Sequence, residues 1–127
     1  MKQFLFVILA FIVACAPAQA ISLNEKNAGH SVTAHVNDDI VISLSGNATT
    51  GYGWKFSSPE EESFEVIKDT YEPNSHPQGM VGVGGQHIYE IKPLKTGVIN
   101  IIARYYRPWE TFDPQKDEQL DFIIEVK

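Results

Sequence analysis

Apolar and polar residues alternate with period two along most of the chain. Val32, Ala34 and Val36 alternate with Thr33 and His35, and Ile40, Ile42 and Leu44 face away from Ser43 and Ser45. Gly53 to Phe56 is short and aromatic, with Trp54 at the strand start read as core. Phe64 and Val66 oppose Glu65 and Ile67, and His87 to Leu94 sets Ile88 and Glu90 against Tyr89 and Ile91. Ile99, Ile101, Ala103 and Tyr105 alternate with Asn100 and Arg104, and Leu120, Phe122, Ile124 and Val126 with Asp121, Glu125 and Lys127. Period two over four to eight residues predicts half-buried strands. No stretch after residue 20 carries a clear helical stripe, so the fold class is all-β.

Seven short strands in about 100 residues, separated by Gly, Pro and Asn, predict a β-sandwich of immunoglobulin-like size. The usual Cys-Trp-Cys pattern is absent. Pro73, Pro77 and nearby Gly and Asn residues break the pattern after the fourth run, which is expected to end near Asp69. Asp38, Asp39, Asp121 and Lys127 are expected to keep exposed sheet edges from pairing with other chains.

Three connections carry more rings and glycines than a turn needs. They are Asn47-Ala48-Thr49-Thr50-Gly51-Tyr52-Gly53-Trp54, Gly82-Val83-Gly84-Gly85, and Tyr105-Tyr106-Arg107-Pro108-Trp109. They join strands two and three, four and five, and six and seven of the predicted order. In an antiparallel sandwich such connections fall at one end, the end that immunoglobulin domains use for recognition.

The first 20 residues change the picture of where the domain works. Lys2, the apolar run Phe4 to Val13 and the small-x-small signal Ala18-Gln19-Ala20 read as a secretory leader, with the mature domain spanning residues 21–127. The apolar run is half the roughly 20 residues that a spanning helix needs, so no transmembrane segment is expected. Ile12-Val13-Ala14-Cys15 also resembles a bacterial lipoprotein box, which would lipidate Cys15. Either way the expected location is extracytoplasmic: secreted, periplasmic or lipid-tethered in a bacterium, lysosomal or vesicular in a eukaryote. Cys15 is the chain's one cysteine, so the mature domain has no disulfide and no thiol for catalysis, redox work or metal binding.

The formal charge is -6 at pH 7 and becomes more negative once Lys2 is removed with the leader. Phosphate binding needs clustered Lys and Arg, so nucleic acid is not the expected partner. The acidic run at Glu60 to Glu62 reads as a solvated turn. The four histidines lack metal-ligand spacing. Ser57 and Ser58 are not in a nucleophile elbow. Gly82, Gly84 and Gly85 precede a strand, whereas a phosphate-cradling loop precedes a helix N-terminus. These residues fit better as a mobile hairpin tip that can approach another protein's backbone. No enzyme activity, metal or cofactor is expected.

In order and spacing, the three loops resemble those of chagasin-type inhibitors of papain-like cysteine proteases. That family's pattern is Asn-Pro-Thr-Thr-Gly-aromatic, then Gly-x-Gly-Gly, then Arg-Pro-Trp or Arg-Pro-Phe. The resemblance implies a three-loop wedge that occludes the catalytic cleft of a papain-like or cathepsin-L-like enzyme reversibly, from a monomer. Asn47, Thr49, Thr50, Gly51 and Tyr52 would form the central wedge; Gly82, Gly84 and Gly85 one flank; Arg107, Pro108 and Trp109 the other. Pro108 fixes φ and pre-orders Trp109 as an aromatic anchor. Trp109 could instead fold back over its own sandwich end, and Arg107 could instead tether its loop to a carboxylate such as Glu110. A secreted immunoglobulin-like binding or adhesion module with a non-protease partner is the alternative reading.

The chain departs from the family pattern at Ala48, where the family has proline. The loop loses a fixed φ, worth about 0.4–1 kcal/mol of extra freedom before binding. The change also makes Asn47-Ala48-Thr49 an N-glycosylation acceptor, which Asn-Pro-Thr is not.

Overall fold

A computed structural model describes residues 19–74 and 84–127. Most of the expected leader, Cys15 and Gly82 lie outside the described residues. Among the described residues, eight strands form two four-stranded sheets: β1 Ala20–Leu23, β2 Ser31–Ala34, β3 Asp39–Gly46, β4 Gly53–Ser57, β5 Phe64–Pro73, β6 Gly85–Pro93, β7 Gly97–Tyr106 and β8 Glu118–Val126. One sheet has the order β1-β3-β6-β5 and the other β2-β8-β7-β4. The all-β sandwich expected from the alternation is therefore present, with all seven predicted strands and one more. The extra strand, β1, is four residues long and pairs parallel with β3. β2 also pairs parallel, with β8, while the remaining ladders are antiparallel.

Alternate side chains of both sheets meet in one core. Ile40, Ile42, Leu44, Ile91, Ile101, Ala103 and Ile124 are fully buried, with Phe122 and Ile99 beside them. Trp54 is 5 % exposed, as its position in the pattern requires, and its indole Nε1 donates to the Ser45 carbonyl at 3.0 Å. A buried indole N–H without an acceptor would cost about 1–3 kcal/mol, so this bond makes the burial affordable.

Three sequence expectations change. The fourth strand runs to Pro73 rather than ending near Asp69. Its register against β6 shifts between Val66 and Lys68, leaving Ile67 as a bulge. A bulge moves the following residues to the other phase, which erases the alternation that marks a strand. Pro73 is tolerated because β5 is an edge strand.

Of the charged residues expected to guard edges, Asp38, Asp39 and Asp121 do not do so. Asp39 and Asp121 lie in β3 and β8, which are both flanked by strands, and Asp38 is buried. The β5 edge is guarded instead by Glu65, Lys68, Asp69, Glu72 and Pro73. Lys68 and Glu72 form an ion pair there at 2.7 Å.

Glu60 does more than cover a turn. Its carboxylate accepts from the Asn100 side chain at 2.9 Å and the Asn100 backbone N–H at 3.2 Å, tying the β4–β5 connection to β7. These bonds, the side-chain one first, hold the Glu60 carboxyl below its ordinary range.

Candidate functional site

The strand ends from which the three loops leave lie together at one end of the sandwich. Gly46, which ends β3, pairs with Gly85 at the start of β6, and Gly85 pairs with Pro73 at the end of β5. In the other sheet Gly53, which starts β4, pairs with Tyr106 at the end of β7, and Tyr105 pairs with Glu118 at the start of β8. The connections β3–β4, β5–β6 and β7–β8 therefore all leave from the same rim. The described part of the middle one consists of Asn74 and Gly84, which are joined by a backbone bond from Asn74 N to Gly84 O at 3.0 Å.

The Asn47 loop is a single tight turn over Ala48–Thr50. Asn47 caps it: its Oδ1 accepts from the Thr49 N–H at 3.1 Å and the Thr49 hydroxyl at 2.5 Å. Asn is favoured at such a position because its side-chain oxygen satisfies an N–H that the turn leaves open. The Thr50 hydroxyl donates to the Asn47 carbonyl at 2.7 Å. Gly51 closes the turn with φ 82°, a left-handed conformation that glycine adopts at little cost. Both threonine hydroxyls are thus engaged within the loop, while Ala48, Thr49 and Thr50 stand exposed at its tip. Each hydroxyl keeps acceptor capacity toward a partner.

The Arg107 loop is built onto the Asn47 loop. Arg107 Nε donates to the Thr50 carbonyl at 3.2 Å, and the guanidinium lies over the Tyr52 ring, 4.7 Å from its centroid. Its Nη1 is 3.8 Å from Glu110 Oε1. Of the two roles open to Arg107, the structure therefore exhibits the internal tether, but chiefly to Thr50 and Tyr52. Trp109 is 70 % exposed, and the edge of its ring rests on Gly51. A Cβ at Gly51 would collide with Cη2 of that ring and lie 3.2 Å from Cζ2. The ring thus touches its own loop cluster along one edge and presents most of its surface outward.

A column of rings carries this arrangement down to the core. The Tyr52 ring packs tilted against Tyr105 with centroids 5.3 Å apart, and Tyr105 packs tilted against Trp54 at 4.9 Å. The sequence placed Tyr105 at the head of the third loop and in a strand phase, but not among the site residues. Its hydroxyl accepts from the Asn47 N–H at 3.1 Å. Tyr71, from the opposite sheet, was missed. Its hydroxyl donates to the Gly46 carbonyl at 3.4 Å and accepts from the Ala48 N–H at 3.5 Å. Two phenols, one from each sheet, thus grip the base of the Asn47 loop. For Tyr71 no sequence signal exists, because the β5 bulge hides its phase.

Gly84 and Gly85 differ from the expected mobile tip. Gly85 is a buried rung of β6. A Cβ there would collide with the Glu72 carbonyl and lie 2.6 Å from the Tyr71 hydroxyl. Its lack of a side chain makes room for Tyr71 rather than for a partner. Gly84 is half-buried, 3.5 Å from the Gly46 carbonyl at its would-be Cβ.

Two depressions of the surface lie elsewhere. One, of about 400 Å³, is lined by Ser58 to Ser63 and Lys95 at the far end; the other, of about 260 Å³, includes Phe56, Val66 and Tyr89 between β4 and β5. Neither includes a residue of the three loops. Among the described residues no group of His, Cys, Asp and Glu could hold a metal ion, and no helix is long and apolar enough to cross a membrane.

The chain as a whole is similar to known proteins. A family model described as "Chagasin family peptidase inhibitor I42" matches residues 33–126. Amoebiasin-2 of Entamoeba histolytica is 38 % identical over 112 residues, covering 87 % of this chain and 87 % of that protein. Chagasin of Trypanosoma cruzi is 30 % identical over 86 residues, covering 64 % of this chain and 76 % of that protein. A crystal structure of the cysteine protease inhibitor EhICP2 from Entamoeba histolytica superposes with a TM-score of 0.76 at 31 % identity, covering 87 % of this chain and 98 % of that one.

Proposed function

The chain belongs to the chagasin family of peptidase inhibitors, and from that premise we propose that it inhibits papain-like cysteine proteases reversibly, by inserting its three-loop rim into the catalytic cleft. The family is one of inhibitors and not of enzymes. The observation that carries the reading is the joint construction of the rim. Thr49, Thr50 and Trp109 are exposed together, while Asn47, Gly51, Tyr52, Tyr105 and Arg107 lock their backbone in place.

Pre-ordering matters because association is opposed by the entropy of fixing loops and side chains, about 0.5–1.5 kcal/mol for each immobilised rotamer-rich side chain. Here the Asn47 and Arg107 loops already carry their internal bonds before a partner arrives. The Ala48–Thr50 tip is small enough to enter a cleft and exposes backbone and hydroxyl acceptors to it. Trp109 supplies aromatic area beside the tip, the residue type most often found at binding hot spots. Arg107 and Pro108 position that ring, Tyr71 and Gly85 support the tip from β5 and β6, and Gly84 stands at the base of the remaining flank, to which the sequence motif also assigns Gly82.

No covalent step belongs to the mechanism. The domain from residue 21 onward contains no cysteine. The inhibitor acts as a monomer outside the cytoplasm, delivered by the N-terminal leader. Purified domain titrated against papain and a cathepsin-L-like enzyme is expected to inhibit both in competition with substrate, and to be recovered intact. A stable adduct in denaturing mass spectrometry, or inhibition that substrate does not relieve, refutes the mechanism. Equal potency against trypsin-like serine proteases refutes the selectivity, since the tip offers no basic side chain to an acidic specificity pocket.

A further inference from the structure

Gln19 and Ala20, which the small-x-small signal Ala18-Gln19-Ala20 would assign to the discarded leader, are part of the folded domain. Ala20 is the first rung of β1, opposite Asp39. The Gln19 carbonyl accepts from the Asp39 N–H at 2.9 Å. The Gln19 N–H donates to Oδ1 of Asp38 at 3.1 Å. Asp38 is only 5 % exposed, and its other oxygen accepts from the His35 N–H at 2.9 Å. Asp38 is thus a buried carboxylate with one oxygen committed to the turn before β3 and the other to the backbone nitrogen of Gln19.

Cleavage after Ala20 would strip both partners of Gln19 at once. Asp38 Oδ1 and the Asp39 N–H would lose their bonds, and an unpaired buried carboxylate oxygen is costly. Ala16-Pro17-Ala18 lies two residues upstream and is also a small-x-small signal. We propose that the leader is removed at the Ala18–Gln19 bond and that the new α-amino group of Gln19 is held by Asp38. The inference rests on the reading of the N-terminal residues as an export leader.

In that step water adds across the amide: the leader keeps the Ala18 carboxylate and Gln19 keeps the nitrogen as an amine. An α-amine has an ordinary pKa of about 7.7–8.0 and is an ammonium at neutral pH. The contact seen as a backbone hydrogen bond then becomes an ion pair between a solvent-exposed terminus and a buried carboxylate, a charge-assisted bond stronger than the neutral one it replaces. The groups around it are the Asp38 carboxylate, the neighbouring Asp39, and His35, whose Nδ1 is 3.7 Å from Asp38 Oδ2 and whose side chain is largely exposed. The bond from Gln19 is the leading cause of the depressed Asp38 pKa.

Two measurements test the proposal. The full chain is exported with its own leader from a secretory host, and the intact mass of the product is read. A chain beginning at Gln19, with or without loss of ammonia from its terminal glutamine, supports it. A chain beginning at Ile21, a lipidated Cys15 or an uncleaved leader overturns it. Separately, chains 19–127 and 21–127 are compared by thermal melting. The longer is expected to melt about 4–8 °C higher, the shift that loss of one good hydrogen bond gives in a domain this size. In the Asp38→Asn background that difference should shrink. Equal melting of the two chains overturns the anchoring by Asp38. Protease inhibition is measured on the same samples, so a failure here is separable from a failure of the inhibitor reading: the loops lie at the other end of β3.

Discussion

The ring of Trp109 lies on the α-carbon of Gly51, so the flanking loop is seated on the one residue of the wedge that has no side chain. Gly51 is doubly required: φ 82° disfavours a Cβ, and the ring occupies the space a Cβ would fill. The two loops form one surface because of this contact and the Arg107–Thr50 bond.

Replacing Trp109 by alanine is expected to weaken inhibition by about 2 kcal/mol, roughly 30-fold in the inhibition constant. At 70 % exposure the ring adds little to stability, so the melting temperature should stay within a degree or two. A large fall in melting temperature with unchanged inhibition would assign Trp109 a structural role instead.

Gly51→Ala is expected to weaken inhibition as much as loss of the tryptophan, without removing any side chain that meets the protease. The strained φ costs about 1 kcal/mol of stability, and the displaced ring accounts for the binding loss. Titration of Gly51→Ala, Trp109→Ala and the double variant checks this. The two effects should be strongly non-additive, because both remove one contact. Full additivity rules out the coupling.

Arg107→Lys should behave almost like Arg107→Ala. A lysine keeps the charge but loses the planar face over Tyr52 and the fixed geometry of Nε toward the Thr50 carbonyl. Both variants are expected to raise the inhibition constant by roughly tenfold, through a looser wedge. Full activity of the lysine variant would show that charge alone matters.

Much of this architecture can be read from the sequence, and the parts that cannot have definite causes. Runs such as Leu120 to Val126 keep strict alternation because one face meets the core and the other does not. β1 is invisible because four residues, Ala-Ile-Ser-Leu, are too few to establish a period. Tyr71 is hidden by the Ile67 bulge. The three loop motifs announce the rim, yet they do not distinguish residues that face outward from those that hold the loops. Arg107 and Gly85 belong to the second kind, and only their neighbours reveal it.

Stability should fall in acid. Hydrogen bonds from Gln19, ahead of those from His35, depress the Asp38 pKa, and bonds from Asn100 depress that of Glu60. A carboxyl with a lowered folded-state pKa stabilises the fold above its unfolded-state value and loses that contribution as pH falls through the folded-state value. Denaturant midpoints should therefore hold near neutrality and drop below about pH 4. Asp38→Asn and Glu60→Gln should each flatten that decline; an unchanged slope in both would remove these residues as its cause.

Ala48→Pro is expected to tighten binding by at most about 1 kcal/mol. Asn47, at φ -131° and ψ 99°, already has the extended backbone that precedes proline, and the first position of a turn suits it. Among the described residues, the bond lost is the 3.5 Å contact from the Ala48 N–H to Tyr71. The same change abolishes the glycosylation acceptor, so protein from a glycosylating host should gain far more than protein from a bacterium. Full inhibition by protein carrying a glycan on Asn47 would exclude this loop from the cleft.

The two tryptophans sit at opposite extremes of exposure, 5 % for Trp54 and 70 % for Trp109. They make the molecule a spectrometer with two separate channels. Trp54 emits from a dry environment and shifts to the red only when the sandwich comes apart. Trp109 emits from water, and a protease closing over it would shift its emission to the blue and shield it from iodide quenching. With each tryptophan exchanged for phenylalanine in turn, one optical signal records folding and the other records occupancy of the rim, on the same protein and without a label.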